Sequence, residues 1–224
     1  MLLIALSGIP VVVLLIYIYI KDRYQKEPFK LLMAALGMGM LSIIPAILVE
    51  MSLMAVCPFE GRGESLYTAF LVAGCTEEAL KLLFLYWLIW RNKHFDEYFD
   101  GIVYAVFVSL GFALVENVLY VLSGGIEVGV VRALFSVPGH FLFAVVMGYF
   151  FALAKFSGNR RRNMFLAFFV PMILHGIFDA LLLLADASAN VSESDQGVLL
   201  IAFIIFDIVI WVIGKRKIKE LQGY

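Results

Sequence analysis

The sequence predicts an all-α, polytopic membrane helix bundle of about seven transmembrane helices, and three observations carry that expectation. Of 224 residues, 63% are hydrophobic and only 16% charged, whereas a soluble domain runs near half apolar and a quarter charged. Apolar runs of about 20 residues, the length that crosses the hydrocarbon core, recur along the whole chain. The lysines and arginines gather in alternate connections between those runs.

These observations also exclude whole classes of function. A water-soluble enzyme does not fit the composition. With Lys+Arg 17 against Asp+Glu 18 and a formal net charge of -1, no basic surface is available for a nucleic-acid backbone. No long polar stretch exists to fold outside the bilayer, so residues 1–224 are expected to form a single membrane-embedded domain. The two cysteines, Cys57 and Cys75, give neither a disulfide ladder nor a Cys-x-x-Cys pair and read as small apolar residues.

The first run, 2–20, is free of charge; lacking a basic leader and a small-residue cleavage site, it reads as a retained anchor rather than a removed signal peptide. The second, 31–57, contains one acid, Glu50. The third, 66–90, carries Glu77, Glu78 and Lys81, and the fourth, 101–123, carries Glu116 beside Asn117. The fifth, 133–154, has His140; the sixth, 164–186, has His175 and Asp179; the seventh, 198–214, has Asp207. No internal repeat appears, and connections of mostly about ten residues are expected between the helices.

Charge orients the bundle. Lys21, Arg23, Lys26 and Lys30 follow the first helix, Arg91 and Lys93 the third, Lys155 and Arg160 to Arg162 the fifth, and Lys215, Arg216, Lys217 and Lys219 the seventh. The opposite connections hold Arg62 and Arg132 alone, together with the acidic stretch from Asp186 to Gln196. Positive charge concentrates on cytoplasmic loops, so the amino terminus is expected outside and the carboxyl terminus in the cytoplasm.

An ionised group at mid-membrane costs about 2.5 to 3.5 kcal/mol and therefore faces the bundle interior or a water-filled cavity. Counted from the outer ends of their helices at 1.5 Å per residue, Glu77, Glu78, Glu116, His140, His175 and Asp179 lie about 10 to 18 Å deep. Four helices thus contribute to one polar layer, which implies a cavity opening outward. Lys81 follows Glu77 by four residues and Glu78 by three, so both carboxylates can reach its ammonium. His175 and Asp179 share a helix face, where the carboxylate could orient the imidazole or both could hold a metal. Glu50 and Asp207 have no partner in the sequence.

Together, Glu77-Glu78-x-x-Lys81, Phe112-x-x-x-Glu116-Asn117, His140 after Pro138-Gly139, and His175-x-x-x-Asp179 resemble the motif set of the PrsW family of bacterial intramembrane proteases. The connection Asp22-Arg23-Tyr24-Gln25-Lys26-Glu27-Pro28 is also similar. The related CAAX proteases and bacteriocin-immunity (Abi) proteins usually show Glu-Glu-x-x-x-Arg and Phe-x-x-x-His; here the lysine comes one residue earlier and Glu116 replaces the histidine. The resemblance implies a multi-pass protein of the bacterial plasma membrane. Its substrate would be a single-span anti-sigma factor, cut first on the extracellular side in response to envelope stress.

For catalysis, Glu77 or Glu78 would act as general base on a water, with Glu116, His140 and His175 as further catalytic candidates and Lys81, Asn117 and Asp179 supporting them. Zinc on His140, His175 and Asp179 and metal-free glutamate catalysis both remain open, since no His-Glu-x-x-His occurs. From the residues alone, a proton-coupled transporter using the same groups as a relay, a bis-histidine haem protein and a noncatalytic receptor or scaffold also stay open. The topology has a direct test: a carboxyl-terminal green fluorescent protein fusion should fluoresce and a carboxyl-terminal alkaline phosphatase fusion should be inactive, and the reverse pair of results would invert the orientation.

Overall fold

In hydrocarbon every backbone N–H and C=O must be satisfied within the chain, which leaves helices for a sequence of long apolar runs. The computed structural model describes residues 2–22, 25–186 and 192–222, and among these it is all-helical with no strand. The order is α1 (Leu2–Lys21), α2 (Phe29–Ala55), a short α3 (Arg62–Tyr67) that passes through a π-helical segment, Thr68–Cys75, into α4 (Thr76–Ile89), then α5 (Tyr98–Val131), a second π-helical segment, Arg132–Ser136, α6 (Val137–Phe156), α7 (Arg160–Ala185) and α8 (Glu193–Leu221). Arg23 and Tyr24 of the first basic connection, and residues 187–191 of the acidic stretch, lie outside the described residues.

Among the described residues, four helical stretches are long and apolar enough to cross a membrane: Phe29–Ala55, Tyr98–Phe156, Arg160–Ala185 and Ser194–Leu221. The longest contains two helices packed side by side, α5 and α6. The connections are shorter than expected. Between the fourth and fifth runs, where the sequence suggests a connection of about ten residues, the chain stays helical except at Gly125, whose φ of 78° breaks α5. One glycine, which tolerates positive φ, is enough to turn the chain there. On the other side, only residues 157–159 separate α6 from α7.

The core is built around α5. Every residue from Phe99 to Ala113 is buried, as expected for a stretch that is apolar all round, and one contiguous hydrophobic cluster joins it to residues of α1, α2, α4, α6, α7 and α8. Small residues set the spacing, as they do where helices associate without a water-driven hydrophobic force. A Cβ on Gly39 of α2 would fall 1.8 Å from the Val108 carbonyl oxygen, and one on Gly111 2.1 Å from that of Leu36. Likewise a Cβ on Gly148 of α6 would fall 2.3 Å from the Gly101 oxygen. By contrast α8 shows apolar side chains such as Val198, Ile201, Ile204, Ile208 and Val212 outward.

At the basic end, aromatic rings gather beneath the charges. Lys155 Nζ donates to the Trp90 carbonyl at 2.6 Å, Arg160 donates to the Tyr86 hydroxyl at 3.1 Å, and Trp90 packs edge-on against Phe151. Aromatic and basic side chains of this kind anchor helices at the headgroup level. Gly148→Ala should lower the thermal stability of the detergent-solubilised protein by about 1 to 3 kcal/mol, because α5 and α6 must separate. Gly37→Ala, where a Cβ meets nothing within 4 Å, is the control and should lose nothing in the same unfolding scans.

Candidate metal centre and active site

The polar layer assembles from four places. Before α4 the π-helical segment widens the helix by one residue per turn, a distortion common at functional sites, and Gly74 within it lies against α7, where a Cβ would sit 3.0 Å from the Met172 oxygen and 3.2 Å from the Gly176 nitrogen. That close approach brings Glu78, one turn later on α4, beside His175, which precedes Gly176 on α7. Across the bundle, Ser109 of α5 donates to the His140 carbonyl at 3.0 Å and fixes α6 at the same level.

At the centre is Lys81, fully buried. Its Nζ donates to Glu77 Oε2 and Glu78 Oε1, both at 2.9 Å, and meets His140 Nδ1 at 3.0 Å. A lysine ammonium has three N–H donors, and each has a partner. The ammonium also stands 4.4 Å from the centroid of the Phe112 ring, a cation–π contact of the kind that is strongest when desolvated. With Nδ1 of His140 accepting from lysine, the ring proton belongs on Nε2, which faces Glu116 Oε2 at 2.9 Å.

Two arms extend from this centre. His175 Nδ1 lies 2.9 Å from Glu78 Oε1, its Nε2 lies 3.4 Å from Asp179 Oδ2, and its ring stacks on Phe143. On the other arm Glu116 accepts from Arg132 Nη2 at 2.7 Å. Asn117 accepts from Arg132 Nε at 3.0 Å and donates to the Ser7 carbonyl at 3.1 Å, tying α1 to the site. A cavity of about 240 Å³ opens over the cluster, lined among others by Glu77, Glu116, Arg132, His140, His175 and Asp179. Glu77 faces this space, and Glu78 lies behind it.

All the sequence-predicted site residues thus meet in one network. Glu50 stays on α2 without a hydrogen bond or ion pair among the described residues, and Asp207 Oδ1 on α8 is buried without a hydrogen-bond partner. Sequence reasoning missed Arg132, placing it alone in an outer connection. Its signal was the neighbouring Gly124-Gly125, which marks where the chain turns back toward Glu116.

Could the cluster hold a metal ion? One donor atom each from Glu77, Glu78, His140 and His175 lies within 4.8 Å of the others, and all four residues are buried. Glu78 Oε2 is buried with no hydrogen-bond partner, so one carboxylate oxygen is uncommitted. Two carboxylates against one ammonium leave a net negative charge before any cation is added, and two imidazoles with a carboxylate form an accepted donor set for a divalent transition metal. The residues fit such an ion. Asp179, expected from sequence as a ligand, lies outside this foursome and contacts the other nitrogen of His175.

Comparison with known proteins gives a consistent result. Residues 27–212 match the model of a family described as PrsW family intramembrane metalloprotease. Protease PrsW of Clostridioides difficile is 37% identical over 98% of this chain and 91% of its own length. Protease PrsW of Geobacillus kaustophilus is 37% identical over 99% and 93%, and that of Bacillus subtilis 35% identical over 96% and 93%. No solved structure matches. The hub itself is testable: Lys81→Met should cost about 3 to 5 kcal/mol of stability in thermal unfolding, because it strands buried carboxylates. Lys217→Met, which breaks the exposed pair with Glu220, should cost no more than about 1 kcal/mol.

Proposed function

The chain belongs to the PrsW family of intramembrane metalloproteases, and from that premise we propose that it makes the first cut in a single-span anti-sigma factor, near the outer end of the substrate's transmembrane helix. Family membership selects a membrane-embedded peptidase among the classes that the residues alone left open. The enzyme is a multi-pass protein of the bacterial plasma membrane. In this reading residues 1–224 form one protease domain of seven spans, with the amino terminus outside and the carboxyl terminus in the cytoplasm, and the cut starts the release of a sigma factor during envelope stress.

The observation that carries the proposal is the buried foursome of Glu77, Glu78, His140 and His175 beneath a cavity. Glu77 faces that cavity and is the residue positioned to be the general base. It takes a proton from a water as the water oxygen attacks the scissile carbonyl carbon, then passes the proton to the departing amide nitrogen. Glu78 aligns His175 through Oε1 and keeps Oε2 for a metal. Asp179 holds the far nitrogen of His175, and Glu116, braced by Arg132 and neighbouring Asn117, holds the Nε2–H of His140. A zinc ion on His140, His175 and Glu78 would have to take one ring nitrogen of each histidine from the contact it now makes, and would then supply Lewis-acid polarisation of the carbonyl. Substrate must unwind locally, since a helical backbone hides its carbonyls. An extended strand advances about 3.3 Å per residue, so a few unwound residues reach the polar layer.

Reconstitution with a tagged single-span substrate tests this directly. Glu77→Gln should lower turnover by about 10²- to 10⁴-fold, Glu78→Gln and His175→Ala should abolish cleavage, and all three variants should keep near wild-type membrane abundance by immunoblot. Chelation should remove activity and zinc should restore it. Retained cleavage in the Glu78 and His175 variants, or a fragment whose new carboxyl terminus maps to the cytoplasmic half of the substrate span, would refute the assignment.

A further inference from the structure

A second set of acids converges at the opposite end of the bundle, and the proteolytic site uses none of them. Asp22 and Glu27 of the α1–α2 connection and Asp100 in the first turn of α5 are buried, while Asp96 of the α4–α5 connection is exposed. One carboxylate oxygen each from Glu27, Asp96 and Asp100 lies within 4.8 Å of the others. Several neighbouring oxygens already have structural duties. Asp22 Oδ2 accepts from the Glu27 backbone N–H at 3.2 Å, the Tyr104 hydroxyl donates to Glu27, and Asp100 Oδ2 accepts from the N–H groups of Asp96 and Glu97 at 3.0 and 2.7 Å.

One oxygen has no N–H or O–H donor: Asp100 Oδ1 is buried, and the side chain within reach of Asp100 is another carboxyl, that of Glu27. A buried, unpaired carboxylate oxygen among other carboxylates is costly unless something positive reaches it. The neighbouring lysines are directed elsewhere, Lys21 over the Tyr17 ring and Lys26 over the Tyr19 ring at 4.1 Å. Among the described residues none of Glu27, Asp96 and Asp100 forms an ion pair. Burial raises the Glu27 and Asp22 carboxyls above their usual range, as expected where anions crowd together out of water.

We propose that Glu27, Asp96 and Asp100 bind a hard divalent cation of the Mg²⁺ class at this end of the bundle. The donors are all oxygen, which disfavours the softer transition metals. Two or three carboxylates with an open side suit an ion that keeps several of its waters, as Mg²⁺ does. Exposed Asp96 provides the entry path, and buried Asp100 supplies the uncommitted oxygen. The charge bias assigns this end to the cytoplasm, where Mg²⁺ is the abundant divalent ion. Once bound, the ion clamps the α1–α2 connection to the start of α5, at the far end of the helices from the proteolytic cavity.

Mn²⁺ is the probe, read by electron paramagnetic resonance on the full chain in detergent after chelation. A His140→Ala/His175→Ala background removes the imidazoles of the proteolytic cluster, so failure here is separable from failure of the protease assignment. One bound Mn²⁺ is expected, displaced by Mg²⁺, with affinity roughly tenfold weaker in Asp96→Asn and binding lost in Asp100→Asn. Mg²⁺ should also slow tryptic cleavage at Lys26 and Lys93. If Asp100→Asn does not fold, Asp96→Asn decides, since its side chain makes no hydrogen bond among the described residues. Absence of bound Mn²⁺, or binding unchanged in the available variants, overturns the proposal; protease resistance that responds to pH but not to Mg²⁺ also overturns it, and assigns a proton shared between Glu27 and Asp100 in place of the ion.

Discussion

The ammonium of Lys81 is the constraint on which the rest of the structure depends. A bare charge on a helix in hydrocarbon would be expelled toward the interface or would recruit water. Here three donors meet three acceptors, Glu77, Glu78 and His140, and no N–H remains to be hydrated. Because the acceptors lie on α4 and α6, satisfying one lysine fixes how those helices face each other. Through Glu78 the constraint passes to His175 on α7, and through His140 to Glu116 on α5.

Such a hub works only if the backbones are close enough to share it. The contacts at Gly39, Gly111, Gly101 and Gly148 bring α2 and α6 against α5, and the contact between Gly74 and Gly176 does the same for the π-helical segment and α7. Tight packing of small residues and one saturated cation are therefore two parts of a single arrangement. The packing sets distances to fractions of an ångström, and the hydrogen bonds select which rotamers survive. A divalent ion added to the foursome would meet side chains already held in position, and would exchange one existing contact of each histidine for its own bond.

Much of this was legible in the sequence because membrane insertion makes polar residues conspicuous. Glu77, Glu78, Lys81, Glu116, His140, His175 and Asp179 stood out against apolar surroundings, and the i, i+3 and i, i+4 spacings to Lys81 gave both ion pairs correctly. Counting depth along each helix placed them in one layer, and the structure joins them in one network. What the sequence hid depends on three-dimensional return of the chain. Arg132 read as a lone outer charge because nothing local links it to Glu116, sixteen residues back. The π-helical segments have no compositional signature, and nothing local joins the acids at 22, 27, 96 and 100, which converge only where Tyr104 and the buried start of α5 meet the first connection.

Gly125 carries a consequence beyond its turn. Nothing lies within 4 Å of a Cβ built there, so the site is spacious and a side chain would meet no obstacle. What it would meet is handedness. Glycine is achiral and takes φ of 78° and ψ of -159° without penalty, whereas an L-residue pays roughly 1 to 3 kcal/mol in this essentially glycine-only region. Every substitution at this position therefore replaces a mirror-symmetric residue by one that prefers the opposite turn, and the segment that returns Arg132 to Glu116 is steered away from it. The electrostatics of the polar layer are in this sense guarded by a stereochemical exemption seven residues from the arginine, in open space, touching none of the groups whose arrangement it decides.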